Sequence, residues 1–449
     1  MPFLQRSVRC FCRAVSSSVV AAAQHDVVTL RRYNMHLPIT MMRNKRISSF
    51  FVHITAPNNC KLFSTNSKDG DDDEDEPEYL EIVTQTADRM RIAVRKYVDE
   101  YARSFDCKQT EPDELSKPPQ IKLVGILATN NTHPITQEDC SRSHEDDNHA
   151  NELYSEQIAN ICSVDGITYE PWRVPPTQAS IERAIQHANE RLDVHGILVF
   201  YPIENLTSDT RGESSGRGPD KWESTGVYYK SMDDYFRDMV SPEKDVEGHR
   251  RNKGLRMRKN EEADDVALKT PEVLGPIYPC TALAVFRIIE SFQLNSIRDI
   301  KTDFRGDRLF EGRTMTIINR SEVLGMPLAI LLSKQGAKVY SIDKDSILTF
   351  LPGGGVGERR EHSTTTMEQC VHKSSVVVTG VPSRTFLVPT ACISDNATLI
   401  NVATDSNFEE EQVAELSGVT YVPHVGRVTV AALEFNLCLL HQNYHRDKN

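Results

Sequence analysis

TMTIINRSEVLGMPLAILLSKQGAKVYSID, residues 314–343, decides the fold class of this chain. Met315–Ile318 is a short, β-branched strand. Asn319–Ser321 is a polar turn, and an apolar run at helical spacing follows. Lys338–Ile342 is a second strand, and Asp343 closes it. A strand–turn–helix–strand unit with an acid about 20 residues past the turn is the layout of a dinucleotide-binding half-fold. A carboxylate at that point accepts hydrogen bonds from both ribose hydroxyls of NAD and repels the 2′-phosphate of NADP. The usual G-x-G-x-x-G is absent, so the bare pattern also fits a plain α/β core unit in which Asp343 only ends a strand.

Working outward, strands and helices alternate on both sides of this unit. On the N-terminal side the pattern predicts a helix over 79–105, with Ile82, Ala87, Met90, Ile92, Ala93 and Val98 on its apolar side. Strands are expected at 121–128, 169–174 and 196–201, with helices at about 151–164 and from Thr177 or Ser180 onward. The second of these helices carries Ile181, Ala184, Ile185, Ala188 and Leu192 at helical spacing. Residues 279–292 turn into an apolar helix. Strands follow at 375–379, 398–402 and 419–422. The last element is an amphipathic helix over 429–442 with Val430, Leu433, Leu437 and Leu440 on one stripe. The β-α-β-α-β order implies a parallel sheet covered by helices on both faces. Polar stretches at 130–150, 204–225 and 353–366 read as surface insertions. The His and Asp residues of the first fit no standard metal-ligand spacing.

Charge divides the chain unevenly. The net charge of −12 argues against nucleic acid as a partner. Residues 1–67 nevertheless carry Arg6, Arg9, Arg13, Arg31, Arg32, Arg43, Lys45, Arg46 and Lys61 against the single acid Asp26. An arginine- and serine-rich, acid-poor leader is the pattern of a transit peptide, for the mitochondrion ahead of the plastid or cytoplasm. The run KDGDDDEDEPE, 68–78, is an acidic linker. No apolar run reaches the ~18 residues of a membrane span. The ten cysteines form no C-x-x-C pair, which fits reduced thiols inside a cell.

Seven motifs occur in order: Y-S-E-Q-I-A-N-I-C-S-V-D-G-I (154–167), G-I-L-V-F-Y-P (196–202), P-E-K-D-V-E-G (242–248), P-C-T-A-L-A (279–284), N-R-S-E-V-L-G-M-P (319–327), T-G-V-P (379–382) and H-V-G-R-V-T-V-A-A-L (424–433). Together they resemble the methylenetetrahydrofolate dehydrogenase/cyclohydrolase family over roughly 79–442, and most of all its monofunctional NAD-dependent fungal-type members. The resemblance implies an α/β fold: an N-terminal α/β catalytic domain for folate (79–280), a Rossmann-type NAD-binding domain (281–428), and a C-terminal helix (429–449) returning to the first domain. It implies a homodimer with tetrahydrofolate as substrate, NAD as cofactor and no metal.

Residue by residue, Tyr154 matches the family's active-site tyrosine, Glu247 its substrate-binding acid, and Cys280 an active-site cysteine of the NAD-type enzymes. Arg320, Ser321 and Gly325 match the pyrophosphate turn. Ile342 and Asp343 match the adenosine-ribose strand end, and Gly380, Val381 and Pro382 the loop beside the ribose. Val402, Ala403 and Thr429 match the nicotinamide pocket. The bifunctional members' catalytic lysine is Ile158 here, and their active-site glutamine is Phe200. Neither replacement can move a proton. The resemblance therefore implies oxidation of 5,10-methylenetetrahydrofolate to the 5,10-methenyl form without cyclohydrolase. The alternatives are a bifunctional enzyme using Glu156 or Gln157, or a non-catalytic folate- or NAD-binding relative.

Overall fold

The computed structural model describes residues 78–106, 120–129, 147–203, 206, 229, 231–249, 277–294, 308–353, 360–362 and 365–446. The basic leader, nearly all of the acidic linker, and most of the three insertions lie outside these residues.

The first helix, α1 (Glu78–Asp106), buries Val83, Ala87, Met90, Val94 and Tyr101, a stripe stepping by three, four and seven. Ile92, expected on that stripe, is instead 57% exposed. It stands two residues from Met90, some 200° around the helix. β1 (Lys122–Ala128), α2 (Asp147–Val164), β2 (Thr168–Val174), α3 (Gln178–Glu190) and β3 (Gly196–Val199) then build a three-stranded parallel sheet in the order β2-β1-β3. Thr177 caps α3 by accepting from the Ser180 N–H. Leu192, placed with the apolar face of α3, lies past its end and is 83% exposed. After the short helix α4 (Met232–Met239), residues 244–246 run beside β3, joined to it by the Ile197 N–H to Lys244 carbonyl bond. That placement delivers Glu247 to the C-terminal end of the sheet.

α5 (Cys280–Leu294) leads into the second sheet. Its elements are β4 (Thr314–Ile318), α6 (Gly325–Lys334), β5 (Lys338–Asp343), β6 (Ser346–Phe350), β7 (Arg360–His362), α7 (Met367–His372), β8 (Val376–Thr379), β9 (Thr398–Asn401), α8 (Glu410–Ala414) and β10 (Thr420–Val422). The strand order is β10-β9-β8-β4-β5-β6-β7. β10 through β5 are parallel, whereas β6 and β7 add on antiparallel. The sheet is thus mixed and Rossmann-like. β7 falls inside the stretch read as a polar insertion, and β6 was not anticipated. A β5–β6 hairpin needs no crossover helix, so the alternation rule that predicts parallel strands does not apply to it.

The last helix, α9 (Gly426–Leu440), is not amphipathic as its stripe suggested. Every residue from Val430 to Leu440 is buried, Glu434 and Asn436 included, because α9 packs against both α1 and α5. A π-helical turn, His441–His445, follows. Among the described residues no helix is long and apolar enough to cross a membrane, and no cluster of His, Cys, Asp and Glu has the geometry of a metal site.

His195, His441 and His445 meet beneath that final turn, with ring centroids 4.8 Å apart for His195–His441 and 5.3 Å for His195–His445. Burial, and then the neighbouring imidazoles, depress the pKa of His195 to about 4 and of His441 to about 3. Lys244, Lys122 and Arg446 add to the depression, and only Asp193 opposes it. A neutral imidazole in the fold against one that protonates near 6.5 in the unfolded chain gives stability that is complete above 6.5. That stability is lost as the pH falls from 6.5 through about 4. The cluster's contribution should therefore lower the melting temperature by several degrees from pH 7.5 to 5, against the opposite trend from Glu247. A His441→Asn variant should start lower and fall less over the same range, and parallel melting curves would remove the cluster as the cause.

Candidate active site

Tyr154, Glu247 and Cys280 come from three separate elements and converge. Tyr154 sits on α2, its ring edge-on to Phe200 at 6.1 Å between centroids. Cys280 opens α5, and its N–H donates to the Glu247 carbonyl at 3.1 Å. Burial raises the pKa of the Tyr154 hydroxyl well above its ordinary range, with Cys280 and Glu247 contributing. Burial, and then Glu247, push the Cys280 thiol up to about 12. A thiol so disposed stays protonated at neutral pH and is a poor nucleophile. Glu247 itself is pushed up to about 8 by burial and by Asp245, against the pull of Arg237 and a hydrogen bond from the Val199 N–H. A shift of this size, caused by burial and a neighbouring carboxylate, marks a candidate functional group.

The two apolar replacements are also in place. Ile158 is fully buried one turn after Tyr154, and Phe200 is 4% exposed. Glu156 lies two residues from both Tyr154 and Ile158, on the exposed side of α2.

The second cluster surrounds the β4–α6 turn. Asn319 takes a left-handed φ of 85°, and its side-chain amide donates to the Gly380 carbonyl at 2.5 Å. Ser321 Oγ accepts from the Leu324 and Gly325 N–H groups. Gly325 faces the turn so closely that a Cβ would lie 2.1 Å from the Asn319 carbonyl oxygen. Only glycine fits where helix and turn approach this way. A polar turn opening onto a helix N-terminus is where the pyrophosphate of a dinucleotide is held, although the Leu324, Gly325 and Met326 N–H groups are here taken up by Ser321. Asp343, at the end of β5 beside the turn, has its side chain 48% exposed, and Oδ2 is 4.0 Å from Arg320. The Arg320 guanidinium, expected on the pyrophosphate, is committed elsewhere. It donates to Ser341 Oγ at 3.0 Å, the Ser341 carbonyl at 2.5 Å and the Ser346 hydroxyl and carbonyl at 3.0 and 2.9 Å. It holds the β5–β6 hairpin that carries Asp343. The Ile342 side chain is 6% exposed and belongs to the core.

Gly380, Val381 and Pro382 follow β8, and Val402 and Ala403 follow β9, both at the C-terminal edge of the parallel strands where ligands of open α/β sheets bind. Thr429 is on the first turn of α9, its hydroxyl donating to the Val425 carbonyl at 3.2 Å. Arg427 turns away to Thr84 on α1, 2.7 Å.

Two residues that fasten these loops escaped the sequence reading. Asn407, fully buried, accepts from Thr379 Oγ1 and the Val381 N–H at 2.7 and 2.9 Å, and donates to the Val381 carbonyl at 3.1 Å. Asn436 on α9 donates to the carbonyls of Val246 and Tyr278, both at 2.9 Å, and so holds the segments leading to Glu247 and Cys280. Nothing in the spacing of either asparagine marks it.

No family model matches the chain. Individual relatives do. Schizosaccharomyces pombe methylenetetrahydrofolate dehydrogenase (NAD+) is 32% identical over 322 residues, 71% of this chain and 84% of the relative. The Dictyostelium discoideum protein of the same name is 34% identical over 296 residues, 66% of this chain and 83% of the relative. Bifunctional FolD proteins match at 25–26% identity. Among solved structures, the NAD-dependent 5,10-methylenetetrahydrofolate dehydrogenase of Saccharomyces cerevisiae aligns with a TM-score of 0.58 at 25% identity, over 82% of this chain and 98% of that one.

Proposed function

Because the chain belongs to the methylenetetrahydrofolate dehydrogenase/cyclohydrolase family, we propose that it oxidises 5,10-methylenetetrahydrofolate to 5,10-methenyltetrahydrofolate with NAD and does not hydrolyse the product. NAD, when bound, supplies the nicotinamide carbon that accepts the hydride. The protein's part is orientation and exclusion of water. Glu247 receives the donor edge of the pterin, Tyr154 lies against its ring, and the protonated Cys280 fills the pocket without reacting. Asn319, Ser321 and Gly325 shape the turn for the pyrophosphate, and Asp343 receives the adenosine ribose hydroxyls.

The observation that carries the monofunctional reading is Ile158, wholly buried at the position where a hydrolytic partner would need a protonable group. The test uses the full-length chain. Methenyltetrahydrofolate and NADH should appear together from methylenetetrahydrofolate and NAD, and decay of added methenyltetrahydrofolate should not be accelerated. Accelerated decay would make the enzyme bifunctional, and absence of turnover with either cofactor would make it a binding protein.

Cofactor choice has its own prediction. Hydrogen bonds to a charged group are worth about 1.5–3 kcal/mol, so Asp343→Ser should lower the NAD-over-NADP ratio of kcat/KM by about 10–100-fold. Most of the change should fall on the cofactor KM. An unchanged ratio would take Asp343 out of the ribose site.

A further inference from the structure

The sequence K-D-V-E-G-H, 244–249, makes a tight turn that brings the Glu247 and His249 side chains together. Lys244 anchors its start, donating to the carbonyls of Ala188, Asn189 and Arg191 at the end of α3, 3.0, 2.8 and 2.7 Å. Asp245 Oδ1 accepts the Gly248 N–H at 2.9 Å, and Gly248 has a φ of +69°. Glu247 and His249 therefore face each other across the glycine, Nδ1 to Oε1 3.7 Å, with side-chain exposures of 18% and 7%. Among the described residues neither ring nitrogen of His249 has a hydrogen-bond partner. A buried imidazole with two unsatisfied nitrogens beside a buried carboxyl is an incomplete arrangement.

The other groups bearing on the pair come from each neighbouring element. Arg237, on α4, has its guanidinium 4.2 Å above the Tyr201 ring and acts on both members. Asp245 acts on Glu247 from the same turn, and Tyr154, Tyr201 and Cys280 border it. In the free protein burial holds Glu247 protonated up to about 8 and, with Arg237, holds His249 neutral down to about 3. The pair thus stores one proton, on the carboxyl.

The amino-pyrimidinone edge of a pterin offers two parallel N–H donors. A neutral carboxyl matches only one of them, because its own O–H is a donor, whereas a carboxylate accepts both. Docking this edge therefore requires the stored proton to leave. Among the described residues, the base facing Glu247 is His249, Nδ1 to Oε1 3.7 Å.

We propose that His249 is a positioning residue for Glu247: it takes the carboxyl proton when the pterin edge docks, so that ligand binding ionises the acid without releasing a proton to solvent. This rests on the folate reading of the site. The O–H bond of Glu247 breaks and an N–H bond forms at His249 Nδ1. The carboxylate and imidazolium created are mutually attractive, and the carboxylate offsets the opposition of Arg237 to the imidazolium. Departure of the ligand reverses the transfer.

The test is calorimetry of the full-length protein with 5-formyltetrahydrofolate at pH 7 in phosphate and in Tris, whose ionisation enthalpies differ. The difference in apparent heat counts the protons released. The wild type should release close to none, and His249→Gln or His249→Asn close to one. In the variants the dissociation constant should fall about tenfold for each pH unit between 6 and 8, while the wild type stays nearly level. A wild type that releases one proton, or variants with the wild-type count and pH profile, would overturn the proposal. The wild-type measurement decides even if both variants misfold. Failure of the wild type to bind 5-formyltetrahydrofolate at all would instead remove the folate reading, and this proposal with it.

Discussion

Gly325→Ala is expected to raise the KM for NAD by about 10–100-fold and to lower the melting temperature. The added Cβ would lie 2.1 Å from the Asn319 carbonyl oxygen and 2.9 Å from the Arg320 Cα, both backbone atoms of the turn. Neither can swing aside like a flexible side chain. Relief has to come from moving α6 or moving the turn. α6 is held by the burial of Pro327, Leu328, Ala329, Ile330, Leu331 and Leu332, so the turn is the part that yields. Its displacement would break the Asn319 bond to Gly380 and the Ser321 bonds to the helix entry, which fix the shape of the turn proposed to hold the pyrophosphate. Overpacking of this kind costs about 1–3 kcal/mol of stability, and a misplaced anion site loses a comparable amount of binding. Separate titrations should show the folate KM changing far less than the NAD KM. Equal effects on both would mean that the substitution unfolds the protein generally.

Glu247→Gln is expected to act in opposite directions on activity and on stability. On the proposed role of Glu247, loss of a carboxylate that accepts two hydrogen bonds from the pterin should reduce kcat/KM for the folate by about 10²–10⁴-fold, at about 1.5–3 kcal/mol for each bond. Stability should rise. The folded-state pKa of Glu247 is about 8 against an ordinary 4.5, so the folded protein holds more protons than the unfolded chain between those values. The fold is favoured below 4.5 and loses that advantage as the pH climbs through about 8. Glutamine does not titrate. The variant's melting temperature should match the parent's most closely near pH 5 and exceed it by about 2–6 °C at pH 8. A gap that stays constant with pH would show that Glu247 is not the group responsible.

The strand–turn–helix–strand unit was legible because its requirements are local. A β-branched strand, a polar turn, a glycine facing the backbone and an acid ending the next strand all lie within residues 314–343. The elements misread were those decided by distant neighbours. α9 reads as one-sided in isolation, yet it is wrapped by α1 and α5, and packing on both sides buries its polar residues too. Leu192 keeps the helical spacing but lies past the end of α3, and Ile92 stands on the opposite side of α1 from Met90. Arg320 illustrates the same limit at the site. Its position in the turn pointed to the pyrophosphate, but the β6 strand that occupies its guanidinium was not visible from periodicity. Asn407 and Asn436 are polar residues whose partners lie in other segments, so no local pattern marks them. His249 was within reach of the sequence, two residues from a recognised acid, but only the geometry sets its ring against that acid.

The union of the first and last helices bears on how the chain can be made. Synthesis runs from the N-terminus, so α1 leaves the ribosome with Val83, Ala87, Met90, Val94 and Tyr101 uncovered, and its partners α5 and α9 are still to come. The second sheet, built from consecutive strands, can close while the chain is growing. The first sheet is made earlier, but the α1 stripe stays uncovered until α9 has also been released. The part of the fold that α1 opens is therefore translated early and completed only after α9 has followed, and in the interval its exposed stripe is open to chaperones and to other nascent chains.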